Sequence, residues 1–299
     1  MKTLENLRQT ADYLPPAVRA GVLKLPESLR SRIQEIRLRT GRPVCLTMGE
    51  SAKFLANDGL TQNPAAALVP SADEIARSLQ AVLSYSVHSH RQELAEGYAT
   101  IRGGCRVGIC GTAVRDSDTV QSLKSVSGLD FRIAGEYKGA ADAVFRQTGQ
   151  AGGILAAGKP GSGKTTFLRD LCRLLGDRQR TALIDERGEL AAVYQGIPQH
   201  DIGLMTDVLD GYPRSMGILT ALRVMNPEHI ICDELLSEAD ADAVLTAAGS
   251  GAQISASIHA GSISELEKRP VLAPLLENGV FRYCVFLAGT QVQAIRRLS

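Results

Sequence analysis

Eight consecutive residues, 158–165, have the types and spacing of a phosphate-binding loop. They read Gly-Lys-Pro-Gly-Ser-Gly-Lys-Thr and match the pattern G-x-x-x-x-G-K-[ST]. Glycines let the backbone bend so that its N–H groups surround a polyphosphate, which a Cβ atom at those positions would prevent. In this chemistry Lys164 reaches the β- and γ-phosphates, and the hydroxyl of Thr165 is a ligand for Mg²⁺. The pattern predicts that the chain binds a nucleotide together with Mg²⁺.

The residues on either side of the loop predict the strand and the helix that such a loop joins. Residues 152–157 read Gly-Gly-Ile-Leu-Ala-Ala, a short apolar run that is typical of a buried parallel strand. After the loop, Phe167, Leu171 and Leu175 recur at helical spacing, and Gly176 is a signal for the end of a helix. We therefore expect the phosphates to lie at the N-terminus of a helix.

Two pairs of adjacent acids each follow an apolar run. Asp233 and Glu234 come after residues 229–232, as in a Walker B element, where Asp binds Mg²⁺ and Glu orients the attacking water. Asp185 and Glu186 end another predicted strand and offer a second carboxylate pair that could assist water or metal. An acid pair that only caps a helix is the alternative reading. Spacing leaves open whether Glu186 or Glu234 is the base, and we favour Glu234.

One histidine and a group of arginines complete the candidate catalytic residues. His259 follows the predicted strand 253–258, where it could sense a γ-phosphate; a hydrogen-bonded surface histidine is the alternative. Phosphoryl transfer also needs positive charge near the transferred group, and a neighbouring subunit's arginine often supplies it in ring-forming domains. The candidates for this role are Arg102, Arg106, Arg132, Arg187 and Arg223. Taken singly, each is better explained as structural or solvated, so the prediction concerns the group.

Composition is that of a soluble globular protein with no membrane span. The 299 residues are 44% hydrophobic and 22% charged with a net charge of +1, and no apolar run approaches the ~20 residues that a spanning helix requires. The six cysteines contain no C-x-x-C pair, and Cys172, Cys232 and Cys284 lie in apolar runs, where we expect small buried hydrophobes. We expect a cytoplasmic protein that works at a membrane, if at all, peripherally or through partners.

The first 135 residues predict a small α+β domain. The pattern indicates a short helix that ends at Pro15-Pro16, a hairpin through residues 33–48 and a capping box at Ser71–Glu74 that opens a second helix. A further hairpin turns at Gly103-Gly104, and residues 129–133 alternate as one more strand. This part of the chain holds 17 Lys and Arg against 13 Asp and Glu, an excess too weak to indicate nucleic-acid binding by itself.

The second part, 136–299, predicts a P-loop ATPase domain in which strands alternate with helices. We expect a linker around residues 135–139, and therefore domains of 1–135 and 136–299. Repeated βα units predict a mainly parallel, doubly wound sheet whose ligand lies at the carboxyl edge of the strands. The strands are predicted at residues 152–157, 180–186, 229–234, 253–258, 283–287 and 292–295. Helices are expected at 167–175, 218–225 and 239–248, with two short ones before the last strands.

Several segments together resemble the stage III sporulation protein AA family. Four of them are Gly-Lys-Pro-Gly-Ser-Gly-Lys-Thr-Thr (158–166), Leu-Ile-Asp-Glu-Arg-Gly-Glu-Leu (183–190), Met-Asn-Pro-Glu-His-Ile-Ile-Cys-Asp-Glu (225–234) and Ser-Ile-His-Ala (257–260). The first domain adds Glu-Ile-Arg-Leu-Arg-Thr-Gly-Arg-Pro (35–43), Ile-Arg-Gly-Gly-Cys-Arg-Val-Gly-Ile-Cys-Gly (101–111) and Phe-Arg-Ile-Ala (131–134). The resemblance covers most of the chain and is more specific than a P-loop alone. That family is similar to the hexameric ATPases of type II and type IV secretion.

The resemblance implies a RecA-like P-loop domain that hydrolyses ATP with Mg²⁺ in a hexameric ring. It implies that nine residues hold the nucleotide: Gly158, Lys159, Pro160, Gly161, Ser162, Gly163, Lys164, Thr165 and Thr166. The other implied site residues are an acidic box at Asp185–Glu189, Asp233, Glu234 and His259, with Arg102, Arg106 and Arg132 as contacts across subunits. Leu235-Leu236-Ser237-Glu238 departs from the Arg-Asp that secretion ATPases tend to carry there.

The same resemblance implies a role in sporulation. The ring would energise a channel complex between mother cell and forespore, from the cytoplasmic side of the mother cell, with membrane proteins as partners. The main alternative is a RecA-like nucleic-acid-binding ATPase, which six Phe, seven Tyr and no Trp disfavour because few aromatic side chains are available to stack on bases. A nucleotide-regulated scaffold without turnover is a third reading.

Two further enzyme classes fit less well. An ABC-transporter subunit would carry a Leu-Ser-Gly-Gly-Gln-like signature between loop and Walker B element, and none is present. A small-molecule kinase would need the second domain alone, so this hypothesis does not explain the first 135 residues.

Overall fold

The computed structural model describes residues 2–84, 91–116, 119–135, 137–149, 152–289 and 291–298. The chain separates into two compact units, Met1–Glu136 and Tyr137–Ser299. The boundary expected from the sequence lies one residue earlier. Within the described residues, no helix is long and apolar enough to cross a membrane.

The first unit is built on one antiparallel sheet. Its helices are α1 (Lys2–Ala11), α2 (Pro16–Lys24), α3 (Glu27–Arg30), α4 (Ala72–Val82) and α5 (Arg91–Glu96). Its strands are β1 (Glu35–Arg39), β2 (Arg42–Met48), β3 (Ser51–Ala56), β4 (Gly59–Thr61), β5 (Tyr98–Ile101), β6 (Cys105–Asp116) and β7 (Thr119–Arg132). The strand order is β4-β3-β2-β1-β7-β6-β5, so the first strand of this unit, β1, lies at the centre of the sheet and pairs with the last strand, β7.

Alternation of side chains explains how this sheet covers a core. In β1, Ile36 and Leu38 are fully buried, whereas Glu35, Arg37 and Arg39 point to the opposite face. The predicted capping box is present, since the Ser71 hydroxyl accepts from the Glu74 N–H and the Glu74 carboxylate accepts from the Ser71 N–H. The two predicted hairpins are confirmed. The strands β3 and β4 and the helix α2 are not predicted by our reading of the sequence.

The second unit is an α/β domain with a parallel-rich sheet. Its strands are β8 (Gly153–Ala157), β9 (Thr181–Asp185), β10 (Val193–Tyr194), β11 (Ile197–Pro198), β12 (Thr206–Asp210), β13 (His229–Glu234), β14 (Gln253–Ile258), β15 (Phe281–Ala288) and β16 (Gln291–Arg297). Its helices are α6 (Asp142–Thr148), α7 (Lys164–Gly176), α8 (Arg214–Val224), α9 (Glu238–Gly249), α10 (Ile263–Glu267) and α11 (Ala273–Glu277). The main sheet has the order β12-β9-β13-β14-β8-β15-β16, and only β16 runs antiparallel to its neighbour.

Helices cover both faces of this sheet. Apolar residues of α7 share a core cluster with Ile154 and Ala156 of β8, whereas α8 and α9 pack in a second cluster with Leu155 and Ala157 of the same strand. Because every residue of β8 is buried, the strand reads as a continuous apolar run rather than an alternating one. The strand, loop and helix predicted around residues 158–165 are therefore confirmed.

Two features of this unit differ from the sequence-based expectation. The sequence-based expectation does not include the strand β12. This strand lies at the edge of the sheet and buries only Leu209, so its sequence shows no apolar pattern. Gly176 belongs to α7 as its last residue and does not end it by a left-handed turn. A Cβ atom there would collide with the Thr206 hydroxyl and lie 2.7 Å from the Ile202 carbonyl oxygen. Close packing against the segment before β12 is the reason for a glycine at this position.

Candidate active site

The loop between β8 and α7 is shaped by glycines at positions where a side chain would be strained or would collide. Gly163 precedes α7 with φ of +92°, in the left-handed region that favours glycine. A Cβ atom on Gly158 would collide with the Ser162 hydroxyl and lie 2.7 Å from the Leu287 carbonyl oxygen. The loop thus places its backbone N–H groups at the N-terminus of α7, where the helix dipole favours an anion.

Lys164 is held at this loop by oxygen atoms of the loop itself. Its side chain is only 7% exposed, and Nζ donates to the carbonyl oxygens of Gly158 at 2.8 Å and Lys159 at 2.9 Å. Burial lowers the pKa of the Lys164 ammonium, while the nearby Glu234 and Asp233 carboxylates oppose that shift. The ammonium is therefore held in a fixed position beside the loop.

Two neighbouring parallel strands, β13 and β14, bring Asp233, Glu234 and His259 to the same edge. The Ser257 hydroxyl donates to Oδ1 of Asp233 at 2.9 Å, and Nε2 of His259 lies 3.0 Å from Oε2 of Glu234. The other ring nitrogen, Nδ1, lies 2.9 Å from Nζ of Lys164. His259 thus bridges the lysine of the loop and the acid at the end of β13.

These groups line one pocket of about 380 Å³ at the carboxyl edge of the sheet. The lining residues are Pro160, Gly161, Ser162, Gly163, Lys164, Thr165, Thr166, Arg187, Glu189, Asp233, Glu234, Ser257 and His259. Thr165 and Asp233 supply a hydroxyl and a carboxylate, the oxygen ligands that Mg²⁺ takes when phosphates and water complete its shell. No group of three or more His, Cys, Asp or Glu side chains in the described part of the chain is placed to hold a metal. The donor set fits a metal that arrives with a nucleotide.

The predicted acidic box divides into a structural carboxylate and pocket-lining residues. Asp185 is 1% exposed, and its carboxylate accepts from the N–H groups of Glu189, Leu190 and Ala191 at 2.9, 3.1 and 2.7 Å. Burial raises the pKa of Asp185, and these hydrogen bonds oppose the shift. Asp185 therefore folds the following residues, 186–191, into a compact turn that we call the acidic loop.

This acidic loop turns Arg187 and Glu189 toward the pocket and Glu186 away from it. Arg187 and Glu189 line the pocket, whereas Glu186 is not among the described residues that do so. The Glu186 carboxylate instead lies 2.9 Å from Nη2 of Arg214. The sequence prediction included Glu189 only as the end of the acidic box. No signal in the sequence singles it out, because it is the burial of Asp185 that folds the loop and brings Glu189 to the pocket.

The arginines predicted to act across subunits all lie in the first unit. Arg102 is exposed in the turn after β5, and Arg106 on β6 is opposite Arg132 on β7. The Arg106 guanidinium lies 4.2 Å from the centre of the Tyr98 ring, and Nε of Arg132 lies 3.5 Å from Glu35. Their role across subunits stays a prediction.

The two remaining arginine candidates belong to the second unit. Arg187 lines the pocket. Arg223, on the last turn of α8, is not among the described residues that line it, and its guanidinium lies 3.3 Å from the Thr220 hydroxyl. Of these two, only Arg187 is placed for a contact within its own subunit.

Comparison with known proteins places the chain in a family. The family model described as sporulation stage III, protein AA, matches residues 6–296. The chain belongs to this family. Stage III sporulation protein AA of Bacillus subtilis is 34% identical over 283 residues, which cover 92% of this chain and 89% of that protein. An uncharacterized protein, ycf45, of Porphyra purpurea is 33% identical over 178 residues, covering 58% of this chain and 31% of its own length.

Solved structures resemble this member of the sporulation family in fold. The pilus retraction motor PilT, with bound ADP, has a TM-score of 0.60 at 16% identity, over 90% of this chain and 75% of that one. The ATPase DotB of Legionella pneumophila has a TM-score of 0.56 at 17% identity, over 89% of this chain and 74% of that one. The predicted fold, a RecA-like α/β domain preceded by an N-terminal domain, is confirmed.

Proposed function

We propose that the chain is a Mg²⁺-dependent ATPase. The observation that carries the proposal is the convergence of Lys164, Asp233, Glu234 and His259 on the glycine loop, within one pocket. Nucleotide binding alone needs the loop and its lysine, whereas Glu234 beside His259 adds a positioned base for water. A scaffold without turnover would have no use for that second pair.

Each residue of the pocket has a distinct part in the proposed reaction. The loop N–H groups and Lys164 bind the β- and γ-phosphates, with Lys164 exchanging its carbonyl contacts for phosphate oxygens. Thr165 and Asp233 would hold Mg²⁺, which neutralises charge on the phosphates. Glu234 orients the attacking water and accepts its proton. His259, in contact with both Lys164 and Glu234, is suited to register whether a γ-phosphate is present.

We extend the proposal to a ring that energises a membrane complex during sporulation. Family membership supports the sporulation role, and the fold shared with PilT and DotB supports a motor of the secretion type. The ring, a hexamer, would complete each site with Arg102, Arg106 or Arg132 from the neighbouring subunit. Its partners would be membrane proteins of a channel between mother cell and forespore, contacted from the mother-cell cytoplasm. We propose no nucleic-acid substrate.

The direct test is ATP hydrolysis by the purified full chain, with Mg²⁺ and with the metal chelated. We expect phosphate release only with Mg²⁺. Lys164→Ala should abolish nucleotide binding, because the ammonium is the main cationic contact within the loop. Lys24→Ala is the matched control, since Lys24 is an exposed lysine in the last turn of α2 and is not among the described residues that line the pocket. Equal nucleotide affinity in wild type and Lys164→Ala would refute the assigned site.

A further inference from the structure

We propose that Arg214 is a positioning residue for hydrolysis, which ties the acidic loop, with Glu189, to the loop that directly follows Glu234. Arg214 is the first residue of α8 and is only 4% exposed. Its Nη2 lies 2.9 Å from Glu186, and its Nη1 lies 3.2 Å from Asp240. Nη2 of the guanidinium therefore binds the acidic loop, and Nη1 binds a carboxylate among the residues after β13.

The contact of Nη1 acts on the loop that directly follows Glu234. The Asp240 oxygen that Arg214 contacts, Oδ2, also accepts from the N–H groups of Leu236 and Ser237, both at 3.1 Å. Asp240 is also the N3 residue of the capping box of α9, whose N-cap residue is Ser237, so the loop 235–237 and the start of that helix share one anchor. Arg214 thus fixes the backbone two residues beyond the proposed base.

Stability of α8 alone does not explain an arginine at this position. A cation at a helix N-terminus opposes the helix dipole, and burying a charge is costly unless partners compensate. Nε of Arg214 is buried without a hydrogen-bond partner among the described residues. Burying this N–H group adds a further cost to stability. What the position does offer is reach to both loops, because the rigid, planar guanidinium presents Nη2 to Glu186 and Nη1 to Asp240 at a fixed separation.

The arrangement also has an electrostatic consequence for the pocket. Glu186 directly precedes Arg187, which lines the pocket, and Asp240 holds the backbone of the loop that follows Glu234. An unpaired carboxylate at either place would repel a polyphosphate in the pocket, and Arg214 supplies the counter-charge for both. Arg214 therefore sets the distance between the acidic loop and the base at the end of β13.

This inference rests on the proposed ATPase function, and its test has one arm that does not require turnover. The variant is Arg214→Lys, which keeps the charge but cannot hold both loops. Arg180→Lys is the matched control, since Arg180 pairs with Glu228 at 3.7 Å at the opposite, amino-terminal end of β9. The first measurement is amide hydrogen exchange in wild type and both variants. We expect faster exchange in both loops, 186–191 and 235–237, for Arg214→Lys only.

The second measurement is steady-state ATP hydrolysis with nucleotide affinity, corrected for the folded fraction. We expect Arg214→Lys to lower kcat about tenfold to a hundredfold, because small misplacement of a base has effects of that size, with nucleotide affinity within about twofold. Exchange and kcat equal to those of Arg180→Lys would overturn the inference, as would a lowered Tm with unchanged kcat. Absence of hydrolysis in wild type would refute the ATPase proposal, and the exchange arm would still decide the role of Arg214.

Discussion

The Nε2 atom of His259 lies 3.0 Å from the Oε2 atom of Glu234. The residue that follows β14 therefore contacts the side chain of the last residue of β13. The contact depends on the parallel pairing of β13 with β14, in which Glu234 is in register with Ser257. Because the carboxyl ends of parallel strands meet at one edge, side chains far apart in the chain share a site. The contact with His259 thereby orients the Glu234 carboxylate.

Glu234→Gln should bind nucleotide with wild-type affinity and lose hydrolysis. An amide cannot accept the proton of the attacking water, and general bases contribute about 10²–10⁴-fold to rate. The comparison is Glu186→Gln, which removes a carboxylate that faces Arg214 rather than the pocket and should retain about a tenth of kcat or more. Nucleotide affinity and phosphate release measured on both variants check this. A larger loss in Glu186→Gln than in Glu234→Gln would transfer the base to the acidic loop.

His259→Ala should lower kcat while leaving nucleotide binding in place. The substitution removes the contacts to Lys164 and to Glu234, and the loss of one hydrogen bond to a charged group, about 1.5–3 kcal/mol, corresponds to about a 10- to 150-fold change. Hydrolysis by His259→Ala, Glu234→Gln and the double variant is the measurement. If His259 acts through Glu234, the double variant should be no slower than Glu234→Gln. Additive losses would instead assign His259 an independent role.

Local patterns carried most of the information about the nucleotide site. The loop 158–165, Asp233-Glu234 and His259 each follow an apolar strand, and the rule that such strand ends share an edge was enough to predict their proximity. The glycine loop is recognisable because its backbone shape demands particular residue types. Site residues of this kind are readable without a structure.

The roles of Glu189 and Arg214 depend on contacts that no local pattern encodes. Glu189 reaches the pocket because buried Asp185 folds the intervening backbone, and burial of an acid is not visible in the sequence. Arg214 meets Asp240 across 26 residues of chain through the packing of α8 against α9. The edge strand β12 was missed for a related reason, since a polar edge strand lacks the apolar signal on which strand prediction depends.

Mixed oligomers should reveal whether arginines act across subunits. We expect Lys164→Ala and a double variant, Arg106→Ala with Arg132→Ala, each to be inactive alone and to recover activity when mixed. The Lys164→Ala subunit lacks a working loop but still has both arginines, whereas the double variant has a working loop but lacks the arginines. In a mixed ring, an interface between the loop of the double variant and the arginines of Lys164→Ala is therefore complete. Arg19→Ala, an exposed arginine paired with Asp12, is the control and should be active alone. Mixtures as inactive as their components would exclude contacts in trans by these two arginines.

Acid should destabilise the second unit through His229, which is buried at the start of β13. The imidazole is 1% exposed with Nε2 2.8 Å from the Ser255 hydroxyl, and burial lowers its pKa from 6.5 to about 4, opposed by a hydrogen-bond interaction with Gln253, which favours the protonated ring and raises the pKa. Above pH 6.5 the ring is neutral in both states and pH has no effect through this group. Between pH 6.5 and 4 the unfolded chain binds a proton that the folded chain does not. The free energy of unfolding therefore decreases as the pH is lowered through this range, and it levels off below pH 4.

Urea unfolding of wild type and His229→Gln at pH 7.5 and pH 4.5 measures this contribution. The wild-type free energy of unfolding should drop by about 2–3 kcal/mol more than that of the variant between the two pH values, at 1.36 kcal/mol per pKa unit. Other titrating groups are common to both proteins and cancel in the comparison. Identical pH dependence would mean that the pKa of His229 is the same in the folded and the unfolded chain, and would contradict the lowering by burial.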